Sequence, residues 1–264
     1  MDGALEQVDG VVAYGGIEAC AAIRARLRPH QRYLEHGHKY SLGIVTQRYL
    51  AREGLTQVAR NVAADVSTFN QHACIAPQAY LVEHGEIDTI AFASEVANAM
   101  EAYAAECPLG AMSPDEAAAL QMRRASAKWD STNSQARAIW CASGLDWTVL
   151  LDTNLGAGET AGSRVLRIVP VSDTAHILSL LKPISRYLQN VGLGAVGEQF
   201  RSLSTELALL GACRISEPGS MSKPSMIWRH DGQSCIAALV RWCDIEMHRE
   251  AIPMRAAGSP VPAG

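Results

Sequence analysis

An α/β fold with a parallel sheet is the class this sequence predicts, and three observations predict it. Strand-like and helix-like segments alternate with no internal repeat and no linker-like stretch, the order that a parallel sheet covered by helices requires. Residues 11–14, Val-Val-Ala-Tyr, read as a buried strand that stops at Gly15-Gly16. Helical spacing of Ile17, Cys20, Ala21, Ile23 and Leu27 follows, so strand, glycine turn and helix make one βα unit. The 264 residues are 48% hydrophobic and 19% charged, which is enough apolar material for a sizeable core.

The remaining elements follow in order. Residues 32–45 read as a second strand-like segment interrupted at Gly37, and strand, helix, strand in succession implies parallel pairing. Residues 1–45 look like the end of a nucleotide-binding sheet, and they are too few to build one from two βαβαβ halves. Leu55, Val58, Ala59, Val62, Val66 and Phe69 fall three or four apart on one helical stripe. Residues 79–83 are a short β-prone run stopped by Gly85, and residues 87–106 are an Ala-rich helix. Ser113-Pro114-Asp115-Glu116 announces another helix, with serine as cap, proline at the first helical position and glutamate three after the cap; it is expected to reach Lys128. Residues 131–136 read as a polar loop, 147–151 and 164–171 as strands around the glycine-rich 154–162, and 173–188 as a helix broken near Pro183. A strand over 188–193, a helix over 198–210 ended by Gly211, a strand over 212–215 and a last helix over 234–247 complete the alternation. The Ala, Pro and Gly content of 250–264 predicts a disordered tail.

One stretch stands out chemically. Asn70-Gln71-His72-Ala73-Cys74 forms a polar elbow between a helix and a strand, and Pro77 stops the helix from continuing through. Scaffolds present reactive groups in such places. Cys20, Cys141, Cys213, Cys235 and Cys243 lie in or beside apolar runs and Cys107 closes a helix, so these six read as structural, small buried hydrophobes. His72 is the nearest candidate to assist thiolate formation at Cys74, and Gln71 to contribute polarity for a substrate. Gly15 and Gly16 would let backbone approach a ligand at a helix amino terminus.

Three blocks in matching order resemble the acyl-CoA reductases of the bacterial bioluminescence type, the fatty-acid reductase component of the aldehyde dehydrogenase superfamily. They are Phe69-Asn70-Gln71-His72-Ala73-Cys74-Ile75-Ala76-Pro77, Gly37-His38-Lys39-Tyr40-Ser41-Leu42-Gly43, and the segment 211–246 with Trp228-Arg229-His230-Asp231-Gly232. The resemblance implies an aldehyde-dehydrogenase-like catalytic domain with a remnant of the nucleotide-binding sheet. Residues 1–36 would be the end of a truncated nucleotide-binding domain, 37–249 the catalytic cysteine domain and 250–264 the tail. It further implies that Cys74 attacks a long-chain fatty acyl-CoA or acyl-protein thioester and becomes S-acylated, and that NADPH supplies hydride to give an aldehyde. An acyltransferase or acyl-protein synthetase would be a partner, and a homo-oligomer is possible. Glu35 stands where related aldehyde dehydrogenases carry a glutamate base in a Leu-Glu-Leu-Gly-Gly-Lys string, and His230 and Asp231 would help close the substrate channel. Proteins of this kind carry most of a nucleotide-binding domain ahead of the Gly-Gly segment, so the chain is expected to be the carboxyl-terminal portion of a longer reductase, weakly active or inactive by itself. The alternatives are a non-catalytic module that docks on such a partner, and a cysteine acyltransferase or thioesterase without hydride chemistry.

Several classes are disfavoured. A net charge of -4 with no long basic block argues against nucleic acid. No apolar run is long enough to predict a membrane span, and the acidic start, Met1-Asp2-Gly3-Ala4-Leu5-Glu6, is unlike a secretory signal. Seven cysteines without C-x-x-C pairs suit reduced thiols in the cytoplasm. His36 and His38 are a close histidine pair without a third ligand, so no metal site is expected. Gly192-Leu193-Gly194-Ala195-Val196-Gly197 matches the letters of a dinucleotide fingerprint but lies late in the chain, without the acidic residue that should follow.

Overall fold

In the computed structural model, which describes residues 2–155 and 162–246, the chain opens with α1 (Asp2–Leu5), β1 (Gly10–Tyr14), α2 (Ile17–Arg24) and β2 (Arg32–His36). β1 and β2 pair in parallel, Gly10 opposite Arg32 and Tyr14 opposite His36, as a two-stranded sheet of their own. The single segment expected over 32–45 is therefore two strands in two sheets: the chain leaves the first sheet at Gly37-His38-Lys39, and β3 (Tyr40–Val45) enters the second. Burial gives the reason. Every residue of β3 is buried, as befits a central strand covered on both faces, whereas β2 is only partly covered.

The second sheet is built from β3, β4 (Ala79–Glu83), β5 (Ala138–Cys141), β6 (Thr148–Leu151), β7 (Val165–Val171), β8 (Leu188–Gly194) and β9 (Arg214–Ser216), in the spatial order β5-β6-β7-β4-β3-β8-β9. All its pairs are parallel except β5 with β6. Along the chain α3 (Gln47–Glu53) and α4 (Leu55–Ser67) precede β4; α5 (Thr89–Glu106) and α6 (Pro114–Asn133) precede β5; α7 (Thr174–Leu181) precedes β8; α8 (Gly197–Leu210) precedes β9; and α9 (Cys235–Leu239) follows.

Strand alternation sends neighbouring residues to opposite faces. Val45, Tyr80, Val82 and Ile168 pack against Val58, Val62 and Val66 of α4 and Phe92, Val96 and Met100 of α5. Leu42, Ile44, Leu81 and Val169 pack on the other side against Ile177 and Leu181 of α7 and Leu203 and Leu207 of α8. Each such fully buried side chain contributes about 1.5–3 kcal/mol relative to exposure, so the central strands hold the three layers together.

The capping box at Ser113 and Glu116 is present with both of its hydrogen bonds. The helix expected over 173–188 breaks as α7 passes into a 3₁₀ segment, Lys182–Tyr187, that contains Pro183. Other expectations need correcting. α6 runs on to Asn133 and takes in half of the polar stretch, because Ser131, Thr132 and Asn133 bond back to the carbonyls of Lys128 and Trp129 instead of breaking the helix. The helix expected over 234–247 is only α9, and residues 240–246 have no regular structure; Trp242 and Ile245 are exposed, so no apolar face is buried to hold it. α3 and β5 were not anticipated. α3 is capped by the Thr46 hydroxyl, which accepts from the Tyr49 N–H, and is separated from α4 by Gly54 at φ 84°. The expected tail 250–264 and most of the glycine-rich segment 154–162 lie outside the described residues.

Candidate active site

Beyond α4 the chain turns sharply. Phe69, Asn70 and Gln71 take φ of 54°, 52° and 65°, left-handed conformations that cost residues with a Cβ about 1 kcal/mol or more each. Side chains offset that cost. The Asn70 carbonyl oxygen Oδ1 accepts from both Nε and Nη2 of buried Arg164 at 3.1 and 2.8 Å, while Arg164 Nη1 reaches the Cys107 carbonyl at 2.9 Å. Gln71 is sewn to the backbone: Oε1 accepts from the Val165 N–H, and Nε2 donates to the carbonyls of Pro77 and Val165. Although Gln71 borders the cleft beside the cysteine, its amide is thus spent on holding the elbow, a correction to the substrate role expected of it.

Cys74 emerges from this elbow exposed. Its carbonyl accepts from Ser41 Oγ on β3 at 2.6 Å, and the next carbonyl, of Ile75, accepts from Asn190 Nδ2 on β8 at 3.2 Å. The central strands therefore fix the backbone on which the sulfur stands while Sγ faces a cleft of ≈ 460 Å³. Gly15, Gly16 and His36, at or beyond the carboxyl ends of β1 and β2, form part of its wall, which puts the cleft at the seam between the sheets.

The group that reaches the sulfur is His230, whose Nε2 lies 3.8 Å from Cys74 Sγ. It belongs to a short 3₁₀ turn, His230–Gly232, in which Asp231 has φ 53°. That conformation turns the Asp231 carboxylate inward. Oδ2 lies 2.8 Å from His36 Nδ1, Oδ1 accepts from Gln189 Nε2 at 2.5 Å, and His230 Nε2 is 3.9 Å from Oδ1. Four rings cluster there: Tyr14 stacks on His36 at 4.6 Å between centroids and His36 on His230 at 4.1 Å, while Trp228 at 4.7 Å and Tyr14 at 5.8 Å lie tilted against His230. Burial pushes the His230 imidazole below the ordinary histidine value, with Asp231 pulling it up and His36 and Lys39 pushing it further down. The ring is thus neutral near pH 7 and can accept a proton.

The other expected residues fall out differently. His72 is exposed and lines the same cleft without a hydrogen bond to the sulfur. Glu35 points away from it: strand alternation sends His36 to the cysteine side, and Glu35 pairs with Arg24 at 3.3 Å beside a neighbouring pocket, so the carboxylate is not placed as a base. Cys107 and Cys243 are exposed, a correction to the reading of all six other cysteines as buried hydrophobes. The ligand atoms of His36, His230 and Asp231 lie within 4.8 Å of one another. The two imidazoles are stacked only 23° from parallel, however, so their lone pairs run side by side instead of converging on a metal. In the late glycine run, a Cβ at Gly192 would meet Met221 Sδ at 2.6 Å and one at Gly194 would meet the Tyr49 ring at 2.7 Å; those glycines admit core side chains. Sequence reasoning weighed His36 only as a histidine pair with His38 and did not single out Gln189; the adjacency of His36 to the Gly37 block was the signal that could have tied it to the cleft.

A model of a family described as acyl-CoA reductase (LuxC) matches residues 1–242. The long-chain acyl-protein thioester reductase of Aliivibrio fischeri is 24% identical over 245 residues, covering 92% of this chain and 48% of that protein. Among solved structures, the aldehyde dehydrogenase KauB from Pseudomonas aeruginosa superposes with a TM-score of 0.68 at 14% identity, over 84% of this chain and 47% of that one. NADP-dependent glyceraldehyde-3-phosphate dehydrogenase from Bacillus halodurans, solved with NADP, gives 0.61 at 16% identity, over 82% and 46%. The fold is that of the aldehyde dehydrogenases, and the chain spans about half the length of these relatives. Among the described residues, no helix is long and apolar enough to cross a membrane.

Proposed function

The chain belongs to the acyl-CoA reductase (LuxC) family, and from that premise we propose that it carries the thiol chemistry by which a long-chain acyl thioester, on coenzyme A or on a protein, is reduced to an aldehyde through S-acyl-Cys74. One observation carries the reading: an exposed sulfur on a braced elbow, at the mouth of a cleft and beside an imidazole. A thiolate is both a strong nucleophile and a good leaving group, so thioester exchange is nearly thermoneutral and the acyl carbon stays electrophilic. The elbow's bonds to Arg164, Ser41 and Asn190 hold the sulfur against recoil as the acyl group arrives. The Cys74 backbone N–H is the candidate donor to the oxyanion, a contribution of about 3 kcal/mol in comparable sites.

The cleft fits the reactive end of a nicotinamide cofactor. Gly15 and Gly16 line it, and a Cβ at Gly16 would meet nothing within 4 Å, so backbone is open to a ligand there. NADPH held at this wall would supply the hydride that reduces the acyl group. A cysteine acyltransferase or thioesterase would instead yield a transferred acyl group or free acid.

The test is covalent. Mixed with palmitoyl-CoA, the protein should gain the mass of one palmitoyl group on Cys74, and Cys74→Ala should gain none. With NADPH added, any loss of that mass should be slow and matched by hexadecanal, in keeping with the weak activity expected of the chain by itself. An unacylated Cys74, or an adduct that persists after Cys74→Ala, would sink the proposal.

A further inference from the structure

We infer that His230 is the general base and acid of thiol exchange at Cys74, and that Asp231, His36 and Gln189 are positioning residues that hold its ring and steady the charge it acquires. The inference deepens the reading of Cys74 as the acylated nucleophile and rests on it for its biological meaning.

The step balances without any electron donor. The Cys74 thiol proton passes to His230 Nε2 as sulfur bonds to the acyl carbon. The carbon–sulfur bond to the departing thiol breaks, its electron pair leaves on that sulfur, and His230 Nε2–H returns the proton to it. Acyl thioester and Cys74 thiol become S-acyl-Cys74 and free thiol, with nothing oxidised or reduced. Nε2 lies 3.8 Å from Sγ, at the long end for a thiol–imidazole contact and of the kind that shortens once substrate is bound.

Geometry singles out His230 over its competitors. His72 borders the cleft but does not contact the sulfur, and Glu35 opens onto another pocket. The surroundings of His230 suit a proton carrier. Its ring stacks on His36 and packs at a tilt against Trp228, contacts that restrict the plane in which Nε2 points. When Nε2 gains a proton it faces Asp231 Oδ1, 3.9 Å away. That carboxylate cannot swing aside, because Gln189 holds one oxygen and His36 Nδ1 the other, with the Asp231 and His36 side chains 1% and 2% exposed. A carboxylate that fixes and stabilises an imidazolium without taking its proton is a known division of labour in nucleophilic catalysis. The titratable groups that face His230 are Asp231 on its own turn, His36 on β2, Lys39 on the connection to β3, Tyr14 on β1 and Cys74 on the elbow.

A measurement that needs neither substrate nor cofactor tests this: the rate of Cys74 alkylation by iodoacetamide in the full chain, read by peptide mass spectrometry from about pH 5 to 8. In the wild type the rate should rise along the titration of His230, with an inflection below the ordinary histidine value. His230→Gln should lose that inflection and react at least about tenfold slower at pH 7, a threshold set below the roughly 10²–10⁴-fold that a positioned base typically contributes. His230→Ala should recover part of the rate when free imidazole is added, which a merely misfolded variant would not do. Asp231→Asn should keep the inflection but move it to still lower pH, because the carboxylate that favours the imidazolium is gone. A His230→Gln rate and profile like the wild type's would overturn the inference. Palmitoyl-CoA acylation of the same samples separates the two claims: alkylation governed by His230 without acylation would sink the thioester reading alone, and acylation indifferent to His230 would sink the base alone.

Discussion

Asp65 sits on α4 with no exposed surface, yet it is the anchor for the segment that carries His230. Its Oδ2 accepts from the Gly219 N–H at 2.5 Å and from the Tyr80 hydroxyl at 3.4 Å, and its Oδ1 accepts from the Met221 N–H at 3.0 Å. Burial pushes the carboxyl up to about 6, against the pull of these donors. An unfolded aspartate titrates near 4, so the folded chain holds the proton more tightly. The sign follows: this residue's contribution to stability is complete below about pH 4 and is lost as pH rises through about 6. Asparagine in its place cannot titrate. The difference in unfolding free energy between wild type and Asp65→Asn should therefore fall by about 3 kcal/mol between pH 4 and 7, measured by urea denaturation at each pH. A difference that does not vary with pH would mean that the carboxyl titrates normally. The residue also illustrates what a sequence hides. Asp65 falls between Ala64 and Val66 in a helix whose apolar stripe holds from Leu55 to Val66 but not to Phe69, which lies beyond the helix and is exposed; nothing local shows that the Asp65 carboxylate will meet a loop more than 150 residues later.

At the scale of elements, β3 and β4 show how one missing side chain sets packing. Gly43 is the register partner of Tyr80, and a Cβ on Gly43 would lie 2.0 Å from the Tyr80 ring. The ring occupies the space above the glycine and reaches Asp65 and Met221 with its hydroxyl. Gly43→Ala should cost about 1–3 kcal/mol through this overpacking, seen as a lower Tm, and should loosen the loop that Asp65 holds; an unchanged Tm would show that Tyr80 can move aside. Elements whose signal is local were legible in the sequence: the Ser113 capping box, the stop at Gly211, the break at Pro183 and the elbow at Cys74. Elements defined by their neighbours were not. β5 is a four-residue, half-buried edge strand made by pairing with β6, and the division of residues 32–45 between two sheets depends on which strands lie alongside. The local signals put Cys74 on that elbow, and the resemblance of the surrounding block singled it out as the candidate nucleophile. The pairing of that sulfur with His230, and of Asp231 with His36, was not legible, because His230 lies 156 residues from Cys74 and His36 sits in the small sheet.

At the scale of the whole molecule the cleft lies where two sheets meet, and the smaller one is lightly held. Neither of the two large core clusters includes a side chain from β1 or β2 among the described residues. The small sheet is joined to the body through residues 37–39, the ring cluster around His36 and His230, the packing of α9 against β2 with Leu239 approaching Gly10, and the buried pair of His36 with Asp231. The change of sheet falls where the sequence suggested an end to a nucleotide-binding piece, and we propose that residues 1–36 behave as a separate cooperative unit. Asp231 is then both a support of the catalytic ring and the clasp between units. Asp231→Ala would leave His36 Nδ1 buried without its partner, at a cost of about 1–3 kcal/mol, and that cost should fall on the weaker unit. Hydrogen exchange read by mass spectrometry should speed up across residues 10–36 while residues 42–45 and 79–83 stay protected. Faster exchange throughout would show one cooperative body, and no change at all would show that ring stacking and Leu239 hold the small sheet without the carboxylate. If the selective pattern appears, closure of the seam and alignment of the base beside Cys74 are one event, because the same carboxylate serves both.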